Sequence, residues 1–515
     1  MNAIELSLFA NRIAAVCDEM GAVLRHAAFS PNIRDRLDYS CAVFDPQGEL
    51  CAQAAHIPVH LGSMAYAMRD VVSRFEWQAG DVVIFNDPYL GGTHLPDVTL
   101  VAPLYIESEL AGFVANRAHH ADIGADSPGS MPISKTLTEE GQIISPMFLA
   151  KNGQVLSAVM EELISTTRNP TESRGDFTAQ LSSALTGVKR LQQIVEPMGN
   201  SSYQSALSAL NDYAEQLVRT AMRDMPDGEY SFEDVMDDDG LGHQDIPIVV
   251  NLKIKQGTIE ADFSGTAEQV QGNVNCPMSV TAAAVFYVFR CLMPEQTPAC
   301  AGSFRPIRFT APAGSLLNAR HPAAVAAGNV ETSTRIVDVL LGALAQAIPD
   351  QIPAASHGSM NNVAMGSDAK EWPWDYYETI GGGMGASMQH DGQSAVQTHM
   401  TNTLNTPIES LEMHHPLRIT RYEIRRGSGG QGKRSGGDGL VREFKFLQPT
   451  QVTLLTERRL RQPWGLQGAA GGSSGMNKLN DRSVPGKVEL ELSTDDRLTI
   501  ETAGGGGFGQ ISGDM

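Results

Sequence analysis

Near the N-terminus apolar residues recur at alternating steps of three and four: Leu6, Phe9, Ile13, Val16, Met20 and Val23. That spacing draws one apolar stripe along a helix, which is expected to pack rather than to catalyse. Residues 39–44 and 50–53 are apolar runs flanking Asp45-Pro46-Gln47-Gly48. Pro presets the backbone of such a turn and Gly closes it, so a hairpin is predicted. Further strands are predicted at 82–85, 98–105 and 113–118. The pattern then changes: Leu181, Leu185, Val188, Leu191 and Ile194, then Leu207, Leu210, Tyr213, Leu217 and Met222, fit two helices joined near Pro197 and Gly199. Residues 248–254 and 258–263 read as another hairpin, and 282–292 and 334–348 as apolar helices. From about His357 the chain is rich in glycine, with short strands expected at 422–425, 440–446, 451–455 and 487–492.

These elements predict an α+β fold in several units, with a mixed α/β first part and a β-rich, glycine-rich C-terminal half. Boundaries are placed at 1–169, 170–225, 226–354 and 355–515. A length of 515 residues exceeds what one hydrophobic core usually organises, which agrees with that division. A net charge of −21 argues against sequence-independent nucleic-acid binding, which needs clustered Lys and Arg. No apolar run is long enough to span a membrane and no secretory signal is visible, so a cytoplasmic protein is expected. The six cysteines form no C-x-x-C pair, and reduced thiols are expected.

The strongest chemical signal is Asn86-Asp87-Pro88-Tyr89-Leu90-Gly91-Gly92-Thr93-His94-Leu95-Pro96-Asp97, followed by His119-His120-Ala121-Asp122. Imidazole and carboxylate suit zinc or manganese, and His94, Asp97 and His119 make a set of three that leaves open positions for water or substrate. Asp38 and Asp122 are candidates for a fourth ligand or a nearby carboxylate. Histidines hydrogen-bonded beside glycine turns give the same pattern without a metal.

Other motifs carry less. Gly427-Ser428-Gly429-Gly430-Gln431-Gly432-Lys433-Arg434 nearly matches a phosphate-binding loop, but Arg434 stands where Ser or Thr would hold magnesium, and no helix can follow. A flexible hairpin turn is expected there. The acidic run 234–239 is out of register for a calcium loop and reads as a solvated turn. The polar, glycine-rich stretch from Glu378 to Thr403, with His390 and His399, is either ligand-approaching backbone or loops ending strands. Glu412, His414 and His415 read as a surface cluster. Cys41 and Cys51 lack a basic surround and read as buried residues.

Several motifs in sequence together carry a resemblance: Asp38-Tyr39-Ser40-Cys41-Ala42, His56-Ile57-Pro58-Val59-His60-Leu61-Gly62-Ser63-Met64, Asn86 to Asp97, and His119 to Gly124. It continues through Asp262-Phe263-Ser264-Gly265-Thr266, Arg305-Pro306-Ile307, Gly328-Asn329-Val330-Glu331-Thr332-Ser333, Thr401-Asn402-Thr403 and Gly436-Gly437-Asp438-Gly439. Over nearly its whole length the chain resembles the hydantoinase B/oxoprolinase family. Ala125 and Cys300 depart from the pattern where glycine and asparagine are usual.

The resemblance implies the metal-bearing component of an ATP-dependent hydrolase of cyclic amides such as hydantoin, 5-oxoproline or a lactam. ATP and magnesium would sit in an A-type partner that phosphorylates the substrate, the two forming an α2β2 heterotetramer. It implies His94, Asp97 and His119 as metal ligands with Asp38 close by, and Asp122 or Asp38 as the acceptor of a proton from the attacking water. Two alternatives go with it: a component of an ATP-dependent ketone carboxylase, and a non-catalytic scaffold for the A-type partner.

Overall fold

The computed structural model describes residues 1–54, 57–369 and 373–511, with Leu61 by its backbone alone. His56, part of one of the motifs that carry the resemblance, lies outside them. The fold is α+β.

An antiparallel sheet of seven strands occupies the first part, in the order Leu50–Gln53, Tyr39–Phe44, Glu109–His119, Asp97–Ile106, Val82–Phe85, Met147–Lys151 and Gln154–Val155. Its central strands are apolar at successive positions because both faces are covered, and successive side chains point to opposite faces. Cys41, Val43, Val82 and Ile84 pack with Phe9, Ile13 and Leu191 from the helices Ala3–Ala27 and Pro170–Met198. Ala42, Phe44, Val83 and Phe85 pack on the other side with Met64 and Met68 of the helix Pro58–Val72. Gly199, at φ 79°, breaks the chain between the helices Pro170–Met198 and Asn200–Met222, at the predicted joint.

A second sheet runs Ile307–Thr310, Thr258–Asp262, Gln244–Lys255, Gly228–Asp238, and the helices Met278–Leu292 and Ser333–Ala347 share its core. The acidic run at its edge is not the solvated turn expected. Asp237 is buried and accepts the backbone N–H groups of Arg459, Leu460 and Arg461. Asp234 pairs with Arg335 at 3.2 Å and Arg458 at 2.6 Å.

The C-terminal half holds two sheets, Trp374–Glu378, Asn362–Ser367, Thr450–Leu455, Lys487–Leu492 and Leu417–Arg425, Gly439–Phe446, Arg497–Glu501, Met476–Leu479, Arg482–Val484, around one core that includes Val363, Tyr376, Phe444 and Leu498. The glycine-rich segments between them stack on one another. Gly383 donates to Ala503 O at 3.0 Å, Gly437 to Met384 O at 2.8 Å and Gly505 to Gly437 O at 2.9 Å. The segment after Arg425 does join two antiparallel strands, as predicted, but it is packed rather than loose: Gly430 donates to Gly505 O at 2.9 Å.

A Cβ at Gly383 would stand 1.9 Å from the carbonyl oxygen of Gly437, a backbone atom that cannot rotate away. Gly383→Ala is therefore expected to destabilise the protein by about 3 kcal/mol, the upper range for overpacking, read as a lower denaturant midpoint. An unchanged midpoint would contradict the close stacking.

Candidate metal centre

Register brings the first two residues together: Asp97 and His119 face each other across the antiparallel pair Asp97–Ile106 and Glu109–His119. His94 reaches the same point from the preceding loop. That loop is tied by the buried Asn86, whose amide donates to Leu95 O at 2.8 Å and Gln142 O at 2.9 Å and accepts from Ile144 N at 2.7 Å. Asp87 caps the short turn Pro88–Leu90, and Gly91 follows at φ 114°, a conformation that favours glycine.

One ligand atom from each of His94, Asp97 and His119 lies within 4.8 Å of the others, and all three side chains are buried. Their Nε2, Oδ1 and Nε2 atoms make no well-aligned hydrogen bond, and Asp97 Oδ1 lies 3.3 Å from His94 Nε2. The remaining atoms of the same side chains are held. His94 Nδ1 donates to Ala326 O at 3.3 Å, which leaves the lone pair on Nε2. Asp97 Oδ2 accepts from Thr93 Oγ1 at 2.6 Å and from Asn329 Nδ2 at 3.4 Å. His119 Nδ1 is 3.1 Å from the Asn32 amide, and its ring stacks on Tyr377 with centroids 4.6 Å apart. Buried polar atoms seldom go unpaired, and two imidazoles with one carboxylate are the donors a borderline divalent cation takes. The residues fit such an ion.

His60, from the helix Pro58–Val72, closes the group on a further side, its Nε2 3.2 Å from Asp97 Oδ1 and 3.8 Å from Asp38 Oδ1. Burial would raise the Asp97 carboxyl, but the imidazoles of His60 and His94 hold it well below the usual range. Burial and the neighbouring His94 push His119 well down, so its ring is neutral. For His94 burial acts against charge, yet Asp97 outweighs it and the net shift is upward.

Asp38 is next to the triad but stands outside the set of three ligand atoms found among the described residues. It is buried, with Arg36 3.9 Å away, and burial raises its pKa against the pull of His60 and Arg36. Its backbone oxygen accepts from His119 N at 3.0 Å. Asp122 belongs to a different network: Oδ1 accepts from Gly124 N at 2.7 Å and Ser130 Oγ at 3.0 Å, and Oδ2 from Arg168 N at 2.6 Å. Of the weaker candidates, His390 is exposed, and His415 packs against Trp374 and Tyr376. Cys41 and Cys51 are buried, with burial pushing Cys41 up to about 12, so neither is a ready nucleophile. Sequence reasoning passed over His60, Asn329 and Tyr377 as site residues. His60 and Asn329 do fall within the motifs that carry the resemblance, the one signal that marked them.

The family model described as hydantoinase B/oxoprolinase matches residues 2–511. The chain belongs to the hydantoinase B/oxoprolinase family. A relative within it is 5-oxoprolinase 1 of Arabidopsis thaliana, 37% identical over 98% of this chain and 42% of that protein. Another is a protein of Pseudomonas sp. (strain NS671) named as the B-type component of a D-/L-hydantoinase, 32% identical over 96% of this chain and 88% of that protein. The chain thus spans about two fifths of the plant oxoprolinase and most of the bacterial hydantoinase component. Among solved structures, the ATP-dependent caprolactamase from Pseudomonas jessenii superposes with a TM-score of 0.91 at 26% identity, covering 99% of this chain and 91% of that one. No helix among the described residues is long and apolar enough to cross a membrane.

Proposed function

We propose that this chain is the hydrolytic, metal-holding component of an ATP-dependent cyclic-amide hydrolase, and that an A-type partner holds ATP and magnesium and phosphorylates the carbonyl oxygen of the amide. The observation that carries this reading is the buried, converging set of ligand atoms on His94, Asp97 and His119 in a chain of this family. The oxoprolinase, hydantoinase and caprolactamase relatives share the opening of a cyclic amide as the named chemistry, and a bacterial relative named as one component of a hydantoinase supports a separate partner. We place the pair in the cytoplasm as an α2β2 assembly.

A resting amide resists water because its carbonyl is resonance-stabilised, and phosphorylation on the carbonyl oxygen removes that stabilisation. Water adds to the same carbon, the ring C–N bond breaks with a proton passing to the nitrogen, and a second water cleaves the resulting acyl phosphate to carboxylate and phosphate. A divalent ion, zinc or manganese, held by His94, Asp97 and His119 supplies a Lewis acid that makes water nucleophilic near neutral pH. Thr93 and Asn329 fix Asp97 so that Oδ1 faces inward, and Ala326 and Asn32 orient the two imidazoles. Asp38 takes the proton released when water attacks, and His60, between Asp38 and Asp97, orders the two carboxylates. We assign the proton to Asp38 rather than Asp122 because Asp122 is committed to Gly124, Ser130 and Arg168.

Asp38→Asn, assayed with the A-type partner and ATP, is expected to slow ring opening by about 10²- to 10⁴-fold, the usual worth of a positioned base, with metal content unchanged. Wild-type rates in that variant would remove Asp38 from the mechanism.

A further inference from the structure

A second group of buried polar atoms without a hydrogen-bond partner, His357 Nε2, His399 Nε2 and Gln397 Oε1, connects to the metal centre through two side chains. Arg36 Nη2 lies 3.9 Å from Asp38 and donates to Thr379 Oγ1 at 3.3 Å, and Gln397 Nε2 donates to that same hydroxyl at 3.1 Å. His357 is on the same wall. Its backbone N–H donates to Gly383 O at 2.8 Å, and its ring lies so close to Gly382 that a Cβ there would come within 2.5 Å of it. Gly382 pairs with Val396 through two bonds of 2.9 Å, which places Gln397 beside it. Asn361, whose amide is 3.4 Å from His357 Nδ1, and His399 both hold the left-handed conformation, at φ 50° and 59°. Such strain in non-glycine residues gathers at functional sites.

The His357, His399 and Gln397 side chains themselves are uncharged, with the Arg36 guanidinium behind Thr379 and that of Arg459 behind Asn361. Burial pushes His357 down to about 3 and His399 to about 4, so both rings are neutral in ordinary buffers. A neutral imidazole offers one N–H and one lone pair, and a primary amide offers both kinds of group. Together they can meet a C=O and an N–H at once, and they offer no cation to a carboxylate. Beside the wall the Tyr287 hydroxyl, 3.4 Å from His399 Nδ1, lines a cleft of about 430 Å³ with Pro58, Gly62, Ala283 and Phe286. That cleft is largely apolar, with Arg290 as its charged lining residue, and lies between the helix that carries His60 and the helix Met278–Leu292.

We propose that His357, His399 and Gln397 form a recognition subsite for the uncharged amide edge of a ring substrate, which enters through the apolar cleft beside Tyr287. This deepens the hydrolase reading above and rests on it for the identity of the ligand. The methylenes of the ring suit the cleft, and the amide suits the wall, so the reacting carbon is presented toward Asp38 and the triad.

The test compares wild type with Gln397→Leu, His357→Leu and His357→Gln, each combined with the A-type partner. Ring opening of hydantoin, 5-oxoproline and caprolactam is measured beside saturation-transfer NMR of the same rings without ATP. Both leucine variants are expected to raise KM about tenfold or more, the worth of one buried hydrogen bond, and to lose saturation transfer while keeping their metal. His357→Gln, which retains an amide group near Nε2, is expected to recover most of the binding. Wild-type KM and saturation transfer in Gln397→Leu, whose side chain is only half-buried and whose loss leaves the fold intact, would overturn the subsite. So would a wild type to which none of the three rings binds. A wild type that binds caprolactam but opens no ring, with binding lost in the leucine variants, supports the subsite and contradicts the hydrolase reading.

Discussion

His94→Ala is expected to abolish stoichiometric metal binding and to lower ring opening by about 10³-fold or more, several kcal/mol of transition-state stabilisation. His94 Nδ1 is spent on Ala326 O, and Nε2 is the atom turned toward Asp97 and His119. Alanine leaves the triad with one imidazole and one carboxylate, and His60 and Asp38 beside them are engaged with Asp97 and with each other. Metal analysis of the purified variant beside wild type reads the first effect without any activity assay, and calorimetric titration of zinc or manganese into metal-free protein reads it again. Wild-type metal content would show that the ion is held elsewhere. Wild-type ring opening without metal would show that the triad does not carry the chemistry. The triad lies on a strand pair and a tied loop, so circular dichroism of the variant is expected to match wild type.

The second large effect concerns Glu378 and Arg442, which join the two C-terminal sheets. Arg442 Nε donates to Glu378 Oε1 at 2.7 Å and Nη2 to Oε2 at 3.0 Å, and neither side chain is exposed. Tyr376 adds a third bond to the carboxylate at 3.0 Å. Arg442→Met would leave a buried carboxylate without its counter-charge, a loss of about 3–5 kcal/mol. A lower denaturant midpoint for the C-terminal half is the expected reading. Adding Glu378→Gln to Arg442→Met removes the orphaned charge and is expected to recover part of the loss, so the double variant is more stable than Arg442→Met alone. No change in midpoint for the single variant would mean that the pair is open to water. Glu378 directly precedes Thr379, so the same pair steadies the wall that faces the metal centre.

The candidate triad was legible in the sequence because Asp97 and His119 come from two adjacent strands whose register sets them opposite each other, and His94 stands three residues before Asp97 in the loop that leads into the first. The helices at the N-terminus and before Met222 were legible for a similar reason, since their apolar stripes are local. What periodicity could not reach is whatever depends on partners far along the chain. The acidic run looked solvated because Arg458, which pairs with Asp234, is 224 residues away. His60 and Tyr377 meet at the site from a helix and a strand far apart in the chain, and nothing in the spacing of either announces the other. The glycine-rich segments looked loose because glycine lacks a side chain; the same lack lets three backbones approach to hydrogen-bonding distance. Asp122 stood out by sitting beside His119 and His120 in sequence, yet the strand ends at His119 and the chain turns it toward Arg168.

The most direct test of the central claim is ring opening of hydantoin, 5-oxoproline and caprolactam by the metal-loaded chain and its ATP-using partner, run with and without bicarbonate. Metal-dependent and ATP-dependent opening of at least one ring, unaffected by bicarbonate, is the predicted result. Turnover of a ketone only when bicarbonate is supplied, or ring opening that survives complete removal of the metal, would contradict it.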